Sequence, residues 1–126
     1  MRNDIIKKLK NKGIRLRSVR HRQAVVELEN GGRYALRLSR EIITRRKYKT
    51  IKTGKMHTYT YGYYVLNMTS LPEDVDGVLV IFIGKNERIE KVATVSKYLT
   101  EIRRTMMSRD SLDGYAESVL FDIDDD

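Results

Sequence analysis

The segment VLVIFI, Val78 to Ile83, is an unbroken apolar run. At this length it reads as a strand buried on both faces, with no polar side to turn toward water. Any chain that carries such a strand must cover it from two directions. At 126 residues there is room for one domain to do so.

The covering elements are sought on either side of that run. Asn3 is placed to cap a short N-terminal helix with Asp4 at its positive end and Ile5, Ile6 and Leu9 on one face. Lys7, Lys8, Lys10 and Lys12 cluster toward its C-terminus, and Gly13 stops it. Ile14 to Arg20 alternates briefly as a strand. QAVVELE and RYALRLS then alternate with period two around Asn30-Gly31-Gly32, which predicts a β-hairpin. A three-residue loop there sets Glu29 opposite Arg33 and Val25 opposite Arg37. Val26 and Leu28 then share a face with Tyr34, Leu36 and Leu38, and Glu29 and Arg33 form a cross-strand ion pair. HTYTYGYYVLNM, His57 to Met68, is extended by propensity, and Pro72 with Glu73, Asp74 and Asp76 marks a loop. After the apolar run, Gly84-Lys85-Asn86-Glu87 turns into a short strand near Arg88 to Val92. Ser96 is placed to cap a helix from Lys97 to about Met107, with Leu99, Ile102 and Met106 inward. The order predicts an α/β (α+β) domain over residues 1–109. Its mixed central sheet has about five strands, flanked by an N-terminal and a C-terminal helix. Residues 110–126 follow as an acidic tail.

Charge divides the chain unevenly. Residues 1–60 carry a balance of +14 and residues 61–126 one of −6, for a total of +8. A basic half of that kind points to a polyanionic partner, nucleic acid first among them. With no cysteine, disulfides and thiolate metal sites are excluded, and His21 and His57 do not make a zinc site by themselves. No signal-peptide run or membrane-length apolar segment is present, so a cytoplasmic location is expected, with no membrane partner and no cofactor.

The basic charge is densest in REIITRRKYKTIKTGK, Arg40 to Lys55, where seven Lys/Arg accompany the single acid Glu41. The stretch lacks apolar periodicity, which predicts an exposed loop or mobile ribbon. Arg45, Arg46, Lys47, Lys49, Lys52 and Lys55 are the candidate phosphate contacts, with Arg20, Arg22 and Arg37 behind them. Tyr59, Tyr61 and Tyr63 alternate onto one side of an extended strand. Tyr59 and Tyr61 are candidates to stack unpaired bases, the other reading being a sheet face; Tyr63 and Tyr64 fit a sheet face or core.

Three stretches carry a family resemblance: DIIKKLKNKGIRLR, RQAVVELENGGRYALRLSR and YYVLNMTSLPEDVDGVLVIFIGKNERIEKVATVSKYL. Their order resembles the PD-(D/E)XK nuclease superfamily, the restriction-endonuclease-like and Holliday-junction-resolvase-like fold, over roughly residues 4–105. The resemblance implies an opening helix, a catalytic hairpin and a closing helix. It also implies an acid on the first hairpin strand and Glu/Asp-x-Lys on the second, to hold a metal and activate water. Ala24, Arg37 and Ser39 stand near those places, so the implied member is catalytically dead.

The expected function is therefore non-catalytic nucleic-acid binding, DNA before RNA, by a monomer or homodimer. One alternative is an active divergent nuclease using Glu27, Glu29 or Glu41 with magnesium. Another is a virus-encoded protein that docks on an acidic host enzyme. The acidic tail, Asp110 to Asp126, is expected to be loose at its end and to compete with phosphate for the basic loop. Alternatively, Val119-Leu120-Phe121 anchors it as a strand.

Overall fold

The structure is a computed structural model that describes residues 2–20, 22–99 and 104–125. The side chain of Asn3, with His21, Ile102 and Asp126, lies outside what it describes. Helix α1 (Arg2–Asn11) ends in a Schellman motif. Gly13 takes φ +83°, the Ile14 N–H donates to the Leu9 carbonyl at 2.9 Å, and the Gly13 N–H donates to that of Lys10 at 3.0 Å. Leu9 and Ile14 meet in the same apolar cluster, so the stop also sets how the helix packs.

Nine strands follow among the described residues: β1 (Leu16–Arg20), β2 (Val25–Leu28), β3 (Arg33–Arg40), β4 (Ile42–Lys49), β5 (Met56–Asn67), β6 (Gly77–Ile83), β7 (Ile89–Ser96), β8 (Arg104–Met107) and β9 (Ala116–Asp122). Six of them make a mixed sheet in the order β1-β2-β3-β6-β7-β9, in which β3 and β6 run parallel. The other three form the sheet β4-β5-β8. The apolar run is the central strand β6, and all seven of its residues are buried. Leu79, Ile81 and Ile83 face α1 with Ile5, Leu9, Val26, Tyr34 and Leu36. Val78, Val80 and Phe82 face the opposite way, onto Tyr64, Leu66 and Met107 of the second sheet and Leu112 of a short 3-10 turn at Asp110–Gly114. Tyr64 lies flat on Phe82, ring centroids 4.5 Å apart. Burial pushes its hydroxyl pKa up to about 12. Ser39 ties the two sheets together by donating its hydroxyl to the Val65 carbonyl at 2.8 Å and accepting from the Val65 N–H at 3.1 Å. No described helix is long and apolar enough to cross a membrane.

Several expectations are corrected. In the β2–β3 hairpin the loop is Glu29-Asn30-Gly31, not Asn30-Gly31-Gly32. Gly31 takes φ +87°, its N–H bonds the Leu28 carbonyl, and Leu28 pairs with Gly32. The register thus sets Glu27 opposite Arg33 and Val25 opposite Ala35. A shift by two keeps every side chain on its expected face but moves the ion pair, so Glu27 binds Arg33 at 3.3 Å and Glu29 reaches toward Arg15.

The C-terminal helix is not formed by its described residues. Lys97 and Tyr98 lie in a turn after β7, and Arg104–Met107 is a strand whose Met106 pairs with Val65. An open edge of β5 offers these residues ladder hydrogen bonds that override their helical spacing. The expected tail carries β9, antiparallel to β7 at the sheet edge, which is the alternative reading in which Val119-Leu120-Phe121 anchors it as a strand. Asp110, Asp113, Asp122 and Asp124 of the tail are engaged in ion pairs. Lys91 is fully buried and gives its ammonium to Asp113 at 2.7 Å and Asp122 at 3.0 Å, while Arg109 pairs with Asp124 and Asp110.

Candidate nucleic-acid interface

Of the two expected forms of the basic stretch, loop and ribbon, it takes the ribbon. Half of it is β4, paired residue for residue with the first two-thirds of β5 from Ile42↔Tyr63 to Lys49↔Met56. A tight turn closes the two strands: the Thr50 N–H donates to the Lys55 carbonyl at 3.0 Å, and the Gly54 N–H to that of Thr50 at 2.8 Å. Gly54 takes φ +68°, a conformation that costs glycine nothing. Beyond Gly62 toward the turn, every β5 residue is exposed, and β4 packs chiefly along β5. The result is a two-stranded ribbon of about 27 Å, from eight residues at about 3.4 Å each, standing off the body.

Opposed residues in an antiparallel pair point the same way, so the ribbon has two distinct faces. Arg45, Lys47 and Lys49 share one face with Thr58 and Thr60. Arg46 and Tyr48 share the other with His57, Tyr59, Tyr61 and Tyr63. On this second face the rings form a ladder. Tyr48 stacks on His57 at 5.1 Å, Tyr59 on Tyr61 at 5.7 Å, and Tyr61 leans on Tyr63 at 6.1 Å. A base slotted between two rings needs about 7 Å, twice the optimal carbon–carbon separation. The rings therefore pack on one another and stiffen the ribbon, leaving only their outer surfaces to a ligand.

Several cations of the body are paired: Arg17 and Arg33 with Glu27, Arg20 with Asp74, Arg40 with Glu87 and Arg109 with Glu90, whereas Lys7, Lys10, Arg22, Lys85, Arg88 and Arg104 form no ion pair among the described residues. The carboxyl groups respond accordingly. Hydrogen bonds from Arg17 and then Arg33 hold Glu27 below its ordinary range, and Arg20 and Arg40 do the same to Asp74 and Glu87. On the ribbon Arg45, Arg46, Lys47, Lys49, Lys52 and Lys55 are all exposed, and none forms an ion pair among the described residues. Residues 42–63 hold these six cations and no acid, which leaves only +2 for the rest of the chain.

The second-rank candidates lie elsewhere. Arg20 is spent on Asp74 at 2.5 Å, and its Nε is buried without a hydrogen-bond partner. Arg22 and Arg37 line a pocket of about 530 Å³ with Gln23, Ala24, Ser70 and Pro72, and Arg37 also donates to the Leu36 carbonyl. Ala24 stands in the turn before β2 at φ +51°, and Ser39 is consumed by its bonds to Val65. Among the described residues no three His, Asp or Glu side chains gather as a metal site. Sequence reasoning found the ribbon's cations and tyrosines but missed the exposed Ile51 at its tip. A β-branched residue inside a turn flanked by lysines was the available signal.

No protein-family model, curated protein or solved structure matches the chain.

Proposed function

We propose that the protein binds nucleic acid without catalysis, DNA in preference to RNA, and grips phosphates with the β4–β5 ribbon. One observation carries this reading: six cations without ion-pair partners among the described residues, and no acid, on a ribbon that stands clear of the body. A protein that kept these charges only for solubility would gain more from interspersed signs. The body already has that arrangement. Two-stranded ribbons enter the grooves of B-form DNA, whereas the major groove of A-form RNA is too deep and narrow for side chains to read. An active nuclease draws less support, because Glu27 is held between Arg17 and Arg33 rather than offered to a metal. The opening helix and three-stranded meander favour a nuclease-like frame, while β8 in place of the closing helix departs from it.

An anisotropy titration with duplex DNA, single-stranded DNA and duplex RNA tests the proposal. If all six cations meet phosphates, log K against log salt should slope at about −5, and duplex affinity should fall roughly a thousandfold between about 50 and 200 mM salt. Changing Arg45, Arg46 and Lys47 to alanine should flatten the slope by about 2.7. An unchanged slope in that variant would place the contacts elsewhere.

A further inference from the structure

Ile51 sits at the tip of the ribbon and is 100% exposed. Of the described isoleucines of the body, those at positions 5, 14, 81, 83 and 89 are buried and Ile6 and Ile123 half-buried, while Ile42 and Ile43 at the ribbon's base are partly exposed. Turn positions usually go to Gly, Asn, Asp, Ser or Pro, each for a backbone reason that isoleucine does not share. Here the turn's left-handed position is already filled by Gly54, so Ile51 contributes nothing to the bend that a polar residue would not. What it offers is a stiff, branched apolar side chain, with little rotamer freedom to lose on insertion. Lys49, Lys52 and Lys55 surround it in sequence, and they would hold a polyanion against the tip.

Resting on the DNA-binding reading above, we propose that Ile51 is an intercalating wedge. The ribbon enters the minor groove of duplex DNA, its cations follow the flanking phosphates, and Ile51 inserts between two adjacent base pairs. Apolar wedges of this kind unstack a base step and kink the duplex toward the major groove by about 20–90°. The cost of unstacking is offset by the additional phosphate contact that a bent duplex allows along the ribbon. The self-stacked tyrosine ladder suits this task, because a wedge at the end of a limp arm would fold aside instead of entering the stack. A lipid surface is the competing occupant for an apolar tip among lysines. The ribbon's cations run from the turn back to Arg45, five paired positions down β4, which fits a rod-shaped polyanion better than a plane touched at one end.

The test uses the full chain and a duplex labelled at both ends for energy transfer. Wild type should bring the ends together on binding. Ile51→Ala should still bind duplex with a salt-dependent affinity, its slope flattened only by the contacts that the bend adds, but leave the duplex straight. A nick at the central step removes part of the unstacking cost. It should tighten wild-type binding about tenfold and leave Ile51→Ala unaffected. Because Ile51 touches no core residue, the variant should melt at the wild-type temperature. A wild type that binds duplex without bending it, or an Ile51→Ala protein that bends it equally, overturns the wedge while leaving the DNA-binding reading intact. Absence of duplex binding at low salt overturns both. Ile51-dependent sedimentation with phosphatidylserine vesicles, without duplex bending, overturns the wedge in favour of a membrane contact.

Discussion

Replacing Lys91 with methionine should cost the fold about 3 kcal/mol or more at about pH 7, chiefly through what it leaves behind. The Lys91 ammonium is fully buried and touches Asp113, Asp122 and the Arg109 carbonyl. Methionine fills most of its volume, so little packing is lost. Asp113 is largely exposed and returns to water at little cost. Asp122, only 11% exposed, cannot. Burial by itself would raise its carboxyl pKa. The Asp124 N–H, the hydrogen bond from Lys91 and the charges of Lys91 and Arg109 together hold it below the ordinary 3.8. A depressed carboxyl contributes stability that is present above its unfolded pKa and lost as pH falls through its folded one. In Lys91→Met the hydrogen bond and charge of Lys91 are gone while burial, the Asp124 N–H and Arg109 remain, so the Asp122 carboxyl pKa rises relative to wild type and protonation costs the variant less. The deficit against wild type should therefore narrow as pH falls from about 7 toward about 3. Urea melts across that range measure it directly, and at about pH 7 the melting temperature should drop by roughly 10 °C. Lys91→Met/Asp122→Asn should recover part of the loss. A variant within about 1 kcal/mol of wild type, or a deficit indifferent to pH, would refute this account of the C-terminal segment.

Two further outcomes follow from backbone geometry. Ala24 ends the four-residue connection between Arg20 and Val25 at φ +51°, while the ribbon's turn of the same length ends in Gly54. Ala24→Gly should accordingly stabilise the protein by about 0.5–1 kcal/mol, read as a higher urea midpoint. A Cβ on Gly77 would lie 2.2 Å from the Val95 carbonyl oxygen, so Gly77→Ala should destabilise by at least about 2 kcal/mol, and a neutral result would mean β6 and β7 can separate there without cost.

What could be read in the sequence was whatever one-sided or two-sided burial imprints on it. The VLVIFI run announced a strand covered on both sides, and β6 divides its side chains between the two cores. Helix α1 and its glycine stop were legible because their signals are local. The β2–β3 faces were legible too, yet the register was not. Asn30-Gly31-Gly32 holds two glycines, and which of them takes the left-handed position decides the pairing. The ribbon escaped a strand assignment because neither of its faces is buried, so no alternation is written into Arg40 to Lys55. Its strand is specified by partners at Met56 to Tyr63, across the turn. The helical spacing of Leu99, Ile102 and Met106 misled, because pairing with β5 is a long-range term that periodicity does not contain. Of the site, the cations were apparent from composition alone. Their isolation from every described acid was not, since it depends on where Glu27, Asp74 and Glu87 spend their charge.

The central claim is that the ribbon is the binding element and the body only carries it. Excising residues 44–61 and joining Ile43 to Gly62 through Asn-Gly tests this most directly. Ile43 and Gly62 already pair, and Asn-Gly closes a two-residue hairpin. No residue from 42 to 62 belongs to either core, so the shortened protein should keep the wild-type melting temperature. Its charge falls from +8 to +2. Duplex binding at about 50 mM salt should weaken by at least about a thousandfold, and the salt slope should collapse from about −5 toward zero. An excised protein that folds and binds duplex DNA with the wild-type affinity and slope would contradict the account.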